Sequence, residues 1–291
     1  HLDAMASIAN AVALGIERKQ VEEERVRLWV LAQQARSEAE DALQVRNDFL
    51  SSVSHDLKTP LTVMKGTLQI LQRRLKRTAS VDPLWALERL KIQEASITKM
   101  HGMIEDLLTI AQVQAGQHLD LDLRPLSLFP IIERVVTEQQ ETTNRHHLCI
   151  TTFSKDLQVR GDPIRLDRVV TNLLANAIKY SPDGGPITLD IRAEREQDQT
   201  WIVMRFQDEG VGVPEADQPF LFDAFYRASN VRKEIPGTGV GLASAAQVVH
   251  EHGGTISIIS QEGQGTCILV RLPATIEPDT SSPKPERKEH I

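Results

Sequence analysis

Apolar residues recur every three or four positions along the first 115 residues, and this spacing predicts two long helices. At about 100° per residue, the apolar side chains of the first helix fall in a sector of roughly 80°. They are Leu50, Val53, Leu57, Leu61, Met64, Leu68, Leu71 and Leu75. The second helix follows a turn, starts at Pro83 and ends near Ala115, with Leu84, Leu87, Leu90, Ile97, Ile104, Leu107 and Leu108 on its stripe. Two antiparallel helices cannot bury both stripes alone, so we expect the hairpin to double into a dimeric four-helix bundle.

Upstream of this hairpin, residues 17–46 carry a seven-residue repeat that predicts a parallel coiled coil. Position a is Val21, Leu28, Ala35, Ala42 and Phe49, and position d is Glu24, Leu31, Glu38 and Val45. The polar d positions indicate moderate stability, and a single solvated helix is the alternative. Residues 1–16 have a small, apolar helical pattern.

Beyond Gly116 the pattern changes to short strands mixed with helices, which predicts an α+β sandwich. The expected strands are 119–123, 148–153, 158–161, 187–195, 201–207, 255–260 and 266–271. The expected helices are 126–141, one that starts at Asp162 and Pro163, and 240–252. Residues 276–291 are rich in proline, serine and charge, so we expect a disordered tail.

Composition narrows the class of protein. The 291 residues have a formal net charge of −7, which gives no electrostatic reason to expect nucleic-acid binding. Cys149 and Cys267 lack metal-type spacing, which favours two buried thiols in a reducing cytoplasm. No apolar run approaches the ~20 residues that cross a bilayer, so we expect no membrane contact by this fragment. The chain begins with His1 in mid-pattern, which predicts a piece of a longer protein whose membrane anchoring stays open.

One histidine lies on the polar side of the first helix. His55 points roughly 165° away from the middle of the apolar sector, so we expect it to face water. An imidazole titrates near neutrality and can act as nucleophile, base or metal ligand. Asp56 could orient the ring, and Thr59 follows one turn later. An ordinary exposed histidine is the alternative.

A polar face on the helix after Pro163 suggests a phosphate and metal site. Asn172, Asn176, Lys179 and Tyr180 share that face at spacings of four, three and one. Helix interiors disfavour asparagine, so two aligned amides call for another reason. Amide oxygens can complete the octahedral shell of a phosphate-bound Mg²⁺, and Lys179 would meet phosphate charge. Ordinary surface polarity explains this face equally well when it is taken alone.

Three loop motifs complete the pattern. Asp208 ends a strand and is followed by Gly210 and Gly212, where a carboxylate could accept a hydrogen bond from an exocyclic amine. The stretch 221–227 predicts packing of Phe222 and Phe225 under a loop, with Arg227 available for phosphate. A polar segment up to Gly237, with Arg232 and Lys233, could form a lid. Glycine-rich backbone at residues 237–242 offers N–H groups to an anion at a helix start, without a Walker or Rossmann pattern.

In this order, the Ser-His55-Asp56-x-x-Thr59-Pro60 helix and the four clusters resemble the sensor histidine kinases of bacterial two-component signalling, over residues 47–275. The resemblance implies a C-terminal domain similar to the gyrase and mismatch-repair ATPases. It implies Asn176 as main Mg²⁺ ligand with Asn172 adjoining, Lys179 and Arg227 on phosphate, Tyr180 near the nucleotide and Asp208 on the adenine amine. The implied ATP-binding set is Asn172, Asn176, Lys179, Tyr180, Asp208, Gly210, Gly212, Phe225, Arg227, Gly237, Thr238, Gly239, Val240, Gly241 and Leu242. Asp56 stands where glutamate is more frequent.

The resemblance implies autophosphorylation of His55 from ATP and transfer to an aspartate on a response-regulator receiver domain. His55 would be the phosphoacceptor, Asp56 the base, and Thr59 the residue that positions water for regulator dephosphorylation. The implied layout is the end of a GAF-like sensor domain (1–16), a signalling coiled coil (17–46), a dimerisation and phosphotransfer domain (47–115), a linker (116–126), a catalytic domain (127–275) and the tail. A mainly phosphatase protein and a non-catalytic ATP-binding dimeric scaffold are the alternatives.

Overall fold

A computed structural model describes residues 19, 24–25, 27–34, 36–37, 51, 53–54, 56–76, 82–152, 157–232 and 234–275, and the backbone of 286–289. The chain divides into two compact units, residues 1–50 and 51–291. The predicted sensor remnant at 1–16, most of the predicted heptad positions and His55 lie outside the described residues.

In the first unit, residues 27–34 are helical, as the repeat predicts. Leu28 at position a and Leu31 at position d are both exposed. An exposed pair of leucines on one helix is the arrangement that a coiled coil would cover with a second strand.

The second unit opens with the predicted hairpin of helices α1 (residues 56–76) and α2 (Pro83–Gln114). The Asp82 side chain accepts a hydrogen bond from the backbone N–H of Leu84 at 3.0 Å, and Pro83 occupies the first turn, where its missing N–H costs nothing. Gln93 Nε2 donates to the Met64 carbonyl at 2.8 Å, so a side chain of α2 bonds to the backbone of α1.

The apolar stripes of this hairpin are largely exposed in the single chain. On α1, Leu61, Leu68 and Leu75 are at least half exposed. On α2, Leu87 and Ile97 are 52% and 57% exposed. Such rows of large apolar side chains in water are typical of an interaction surface.

The C-terminal part forms a sheet with three helices on one face. The helices are α3 (Leu128–Gln140), α4 (Pro163–Lys179) and α5 (Gly241–Glu251), and a short 3₁₀ turn covers Glu215–Phe220. The strands are β1 (Arg124–Ser127), β2 (His146–Thr152), β3 (Gln158–Gly161), β4 (Gly185–Glu196), β5 (Gln199–Asp208), β6 (Thr255–Ser260), β7 (Thr266–Pro273) and β8 (Glu286–Glu289). The six-stranded sheet has the order β6-β7-β5-β4-β2-β8, and β1 pairs with β3 in a separate two-stranded sheet.

The core lies between the large sheet and its helices. Inward side chains of β4 alternate, with Ile187, Leu189 and Ile191 at or below 1% exposure, as expected for a strand with one covered face. They meet the apolar stripe of α4, which includes Leu173 and Leu174. This two-layer arrangement confirms the predicted α+β sandwich.

The first strand lies five residues later than predicted. Residues 119–123 form no strand, and Arg124–Ser127 pair antiparallel with β3 instead. The alternation that predicted a strand is nonetheless used, because Leu119 is buried and Leu121 packs against the core. Burial follows the side-chain pattern, whereas strand pairing requires a neighbouring edge, and it is residues 124–127 that lie along β3.

The tail also differs from the prediction made on composition. The backbone of Glu286–Glu289 forms β8, which pairs antiparallel with β2. Pairing uses main-chain N–H and C=O groups at an open sheet edge, so it requires no apolar side chains.

Two further expectations concern cysteines and membrane spans. Cys149 on β2 and Cys267 on β7 are both buried, as predicted, and neither forms a disulfide. Within the described ranges, none of the helices is both apolar and long enough to cross a bilayer.

Candidate functional site

The start of α4 is fixed by Asp162, which therefore sets the position of the polar face that follows. Its Oδ1 accepts hydrogen bonds from the N–H groups of Ile164 and Arg165 at 2.9 and 3.1 Å. Its Oδ2 accepts from Asp122 N at 3.1 Å, which ties in the segment that leaves α2. The Asp162 N–H donates to Nε2 of buried His252, just beyond α5, at 2.9 Å.

Asn172 and Asn176 lie one turn apart on α4, and both are half-buried. The Asn172 amide nitrogen lies 3.4 Å from the Gly241 carbonyl, at the start of α5, and 3.5 Å from an Asp106 carboxyl oxygen. Both partners are acceptors, so the NH₂ group faces them and the carbonyl oxygen faces away. Among the described residues, the side chain of Asn176 makes no hydrogen bond, which leaves its amide oxygen available.

Lys179 and Tyr180 end α4 as a pair. The Lys179 ammonium donates to the Tyr180 hydroxyl at 3.2 Å and lies 4.7 Å from the ring centroid. Gly237 approaches this ammonium so closely that an added Cβ would collide with it. The glycine-rich segment therefore runs directly past the end of α4.

Asp208, at the end of β5, is a carboxylate only 7% exposed. Its Oδ1 accepts hydrogen bonds from Gly210 N at 2.9 Å and Thr266 N at 3.2 Å. Burial raises the pKa of this carboxyl, and the two backbone donors lower it in part. Oδ2 has no hydrogen-bond partner in the part of the chain that the structure describes, so it can accept one from a ligand.

The glycine-rich loop is closed onto the segment that contains Phe225. The Phe225 N–H donates to the Gly239 carbonyl at 2.9 Å. Gly239 has a φ of +70°, and an added Cβ would lie 2.6 Å from the Tyr226 carbonyl oxygen, so both conformation and space require glycine there. Val240 is buried, Thr238 is half-buried and Leu242 packs against the core.

Arg227 holds the loop that follows it. Its Nη2 donates to the carbonyls of Val231 at 3.2 Å and of Ile235, while its Nε is buried without a partner in the described residues. Phe222 and Phe225 are half-buried, so their prediction as core residues is met only in part. The small cluster beneath this loop is built on Leu221, Ala228 and Val231 instead.

The polar groups of this site are suited to binding a nucleotide together with Mg²⁺. Two amide oxygens, a cationic lysine and loop N–H groups match phosphate and Mg²⁺, and a buried carboxylate matches an exocyclic amine. Within the described residues there is no group of three or more His, Cys, Asp or Glu side chains for a metal held by protein alone. A metal here would therefore depend on phosphate oxygens for most of its ligands.

Two family models match the chain in agreement with this arrangement. Residues 45–116 match the "His Kinase A (phospho-acceptor) domain", and residues 161–276 match the "Histidine kinase-, DNA gyrase B-, and HSP90-like ATPase". The chain carries the phosphoacceptor and ATPase domains of a sensor histidine kinase.

Curated relatives and solved structures agree with that assignment. Sensor histidine kinase WalK of Bacillus subtilis is 31% identical over 239 residues, 81% of this chain and 38% of WalK. Sensor histidine kinase GacS of Pseudomonas protegens is 30% identical over 257 residues, 86% of this chain and 27% of GacS. The fold resembles histidine kinase AdeS of Acinetobacter baumannii, with a TM-score of 0.50 at 23% identity over 76% of this chain and 98% of that one. The chain thus spans roughly a quarter to two fifths of the length of these curated relatives.

In this chain, the helix that carries the phosphoacceptor motif is described on either side of His55. Asp56 is half-buried and Thr59 is exposed on α1, which continues unbroken through Pro60. The orientation of His55 itself stays a prediction from helical periodicity.

The ATPase domain also touches α2 through charged groups that the sequence did not single out. Arg168 Nε donates to Asp106 Oδ1 at 2.9 Å, and its Nη2 lies 2.8 Å from the same oxygen without the angle of a hydrogen bond. Arg165 pairs with Glu105 at 3.2 Å. On isolated helices these residues have the pattern of ordinary solvated faces, so sequence alone offered no signal.

Sequence analysis also missed a second group, which holds the start of the loop that follows Arg227. Buried Asp217 accepts from the Tyr226 hydroxyl at 2.6 Å and from the N–H and hydroxyl of Ser229, each at 2.7 Å. Those donors, Tyr226 first, lower the pKa of Asp217, whereas burial, followed by Asp217, raises the pKa of Tyr226 to about 12. Nothing local in the sequence distinguishes Asp217 from other polar loop residues.

Proposed function

We propose that this chain is the catalytic part of a sensor kinase that autophosphorylates on His55 and passes the phosphoryl group to an aspartate of a response-regulator receiver domain. The observation that carries the proposal is the buried Asp208 carboxylate, with a free oxygen, in the same domain as the α4 amides and the glycine-rich loop. The two family matches support the pairing of an ATPase domain with a phosphoacceptor helix.

The proposed reaction is an in-line displacement at the γ-phosphorus of ATP. One ring nitrogen of His55 forms the new N–P bond while the bond from phosphorus to the β,γ-bridging oxygen breaks, and ADP leaves with that electron pair. The proton on the other ring nitrogen passes to the Asp56 carboxylate, which neutralises the imidazolium. Positioning and charge neutralisation supply most of the rate enhancement for such a transfer.

We assign the nucleotide contacts by chemistry. Asp208 accepts a hydrogen bond from the adenine amine, and the ammonium of Lys179 neutralises phosphate charge. The amide oxygens of Asn176 and Asn172 hold Mg²⁺, which when bound offsets negative charge on the phosphates. Arg227 contributes indirectly, since its contacts hold the loop carbonyls of Val231 and Ile235.

We further propose a homodimer that acts in the cytoplasm, where ATP is available. The exposed stripes of α1 and α2 support a bundle made from two hairpins. A catalytic-domain boundary near residue 127 is supported by the burial of Leu128 and Ile132 of α3 in the same core as α4. Thr59 would position the water in regulator dephosphorylation, for which its exposure on α1 leaves access.

The test is incubation with ATP labelled at the γ-phosphate and Mg²⁺. The wild-type chain is expected to acquire an acid-labile, base-stable label. The label should be lost in His55→Ala and in Asn176→Ala. Two matched controls, His101→Ala on α2 and Asn144→Ala in the loop before β2, should keep it, since both side chains are exposed away from the site.

Two outcomes would reject the assignment. A label retained in His55→Ala would move the phosphoacceptor elsewhere, and ATP binding without any label would favour the scaffold alternative. Mixing the His55→Ala and Asn176→Ala chains adds a test of the dimer, because label restored in the mixture requires transfer between subunits.

A further inference from the structure

Ser181 lies two residues beyond the end of α4, and its hydroxyl is one of several buried polar groups of the ATPase domain that lack a hydrogen-bond partner among the described residues. The residue is 2% exposed, and its hydroxyl oxygen has no hydrogen-bond partner among the described residues. A buried hydroxyl without a partner costs about 1–3 kcal/mol, so native structures rarely keep one without a reason.

The backbone around this hydroxyl is firmly held. The Ser181 carbonyl accepts hydrogen bonds from Gly184 N at 3.0 Å and from His146 Nε2 at 2.8 Å. The neighbouring Tyr180 carbonyl accepts from Val211 N at 2.9 Å. The serine is therefore fixed in place by its main chain, and only its hydroxyl remains unsatisfied.

His146 helps to hold the Ser181 main chain in place. A carbonyl can only accept, so Nε2 of His146 carries a proton and donates to it, while Nδ1 lies 2.7 Å from the Thr143 hydroxyl. The ring is buried, and both of its nitrogens have polar partners. A chain of hydrogen bonds thus runs from the loop before β2 to the main chain of Ser181.

The free hydroxyl lies beside the carboxylate that we assign to the adenine amine. A Cβ added at Gly210 would lie 2.7 Å from Ser181 Oγ, and Gly210 N is hydrogen-bonded to Asp208 Oδ1. The hydroxyl also lowers the pKa of Asp208, as the smallest of the influences on it, although the geometry does not complete a hydrogen bond. One acceptor without a partner, Asp208 Oδ2, and one free hydroxyl therefore stand side by side.

We propose that Ser181 is a further positioning and specificity residue for the adenine base, with its hydroxyl donating to ring nitrogen N1, directly or through one water. Adenine presents a donor, the 6-amino group, next to an acceptor, N1. An acceptor carboxylate next to a donor hydroxyl is the complementary pair. Purines with a 6-oxo group present an acceptor at position 6 and a donor at N1. The Asp208 carboxylate would then face an acceptor, and the Ser181 hydroxyl would face a donor. This role rests on the proposed ATP site.

The test combines a protein change with a ligand change. Ser181→Ala is expected to weaken binding of Mg²⁺–ATP by about 5- to 10-fold in titration calorimetry, the effect of about one hydrogen bond. Binding of 1-deaza-ATP, in which N1 is replaced by C–H, should be equal in the wild type and in Ser181→Ala. Ser181→Cys keeps the side-chain size with a weak donor and should bind ATP as weakly as the alanine variant. Ser96→Ala removes a buried serine on α2, whose hydroxyl donates to the Ile92 carbonyl, and should leave ATP binding unchanged.

Unliganded stability separates this role from a structural one. Removal of an unsatisfied hydroxyl should leave the melting temperature of the ligand-free protein unchanged or raise it, while the shift induced by ATP becomes smaller. A lower melting temperature without ligand, or equal loss of affinity for ATP and 1-deaza-ATP, would overturn the proposal. Wild-type protein that binds ATP while Ser181→Ala binds equally well would overturn the role of Ser181 alone. Wild-type protein that does not bind ATP would remove the proposed function as well.

Discussion

The ATPase domain and the helical hairpin both have large apolar side chains along their helices, yet they bury them to different extents. Leu173 of α4 is 1% exposed against the sheet of its own chain, whereas Ile97 of α2 is 57% exposed. The sheet offers the helices of the ATPase domain a wide apolar surface within the same chain. Among the described residues, no surface of similar width covers the exposed apolar side chains of α1 and α2. The ATPase domain thus completes its core within one chain, and the difference supports our proposal that the hairpin completes its core by association.

The largest effect should come from a cavity in the ATPase core. Leu173→Ala is expected to lower the free energy of unfolding of that domain by about 2–5 kcal/mol, at any protein concentration. Chemical denaturation at two concentrations measures this. Ile164→Ala, on the same helix but 79% exposed, should change stability by less than about 0.5 kcal/mol. A loss that depends on protein concentration would break the comparison.

A charged residue on the apolar stripe of the hairpin should weaken dimerisation, with little effect on the stability of the ATPase domain. Ile97→Asp would place a carboxylate in the proposed dimer core, and we expect the dimer to weaken by about 2 kcal/mol, or ~30-fold in dissociation constant. Sedimentation velocity over a dilution series measures this. The matched change Ile164→Asp introduces the same charge on an exposed isoleucine of the ATPase domain and should leave the dimer intact. Equal dimer strength in both variants would refute the assignment of this surface.

The contact between the two regions should have a smaller, charge-dependent strength. Asp106→Arg or Arg168→Asp replaces an attractive pair with a repulsive one, while the double variant restores it in reverse, and we expect a coupling of about 1 kcal/mol. Small-angle scattering should give a larger maximum dimension for each single variant and a recovered value for the double. Reversal of the partly exposed Arg192–Glu194 pair within β4 is the control and should leave the maximum dimension unchanged. An equal maximum dimension in the wild type and all variants would mean that the Asp106–Arg168 pair does not hold the ATPase domain against α2.

The smallest effect is a dependence of ATPase-domain stability on pH. Burial lowers the pKa of His252 below its usual value of 6.5, so the unfolded chain takes up a proton that the folded chain resists. Stability should therefore fall as the pH drops below about 6.5, towards the folded-state pKa. In urea unfolding at pH 8 and pH 5.5, His252→Gln should show a weaker dependence on pH than the wild type. His250→Gln, exposed on the same helix, should keep the wild-type dependence.

Sequence periodicity predicted most of the helices and strands, because an element with one buried face has apolar residues at regular spacing in its own sequence. The bounds of β3 and β6 agree with prediction to the residue, since alternation and flanking glycines define them. The sequence of a segment does not show which strand it pairs with. Residues 119–123 were therefore wrongly predicted as a strand from their alternation alone. The structure also places Lys179 beside Gly237, two residues that the resemblance assigns to the nucleotide site.

The missed parts of the site depend on contacts between distant segments. Ser181, Asp217 and Asp106 are ordinary polar residues in their local sequence. Their roles arise from groups 27, 9 and 62 positions away, namely Asp208, Tyr226 and Arg168. No local propensity encodes such distances.

The two native thiols, Cys149 and Cys267, are the only cysteines in the chain, and both are enclosed within the sheet. A thiol must be reached by solvent to react with a maleimide reagent. A cysteine placed on an exposed position of α2 would then be the fast-reacting one, with the native pair left in place. Fluorescent or spin labels can report the movement of the ATPase domain against the hairpin in an otherwise wild-type chain.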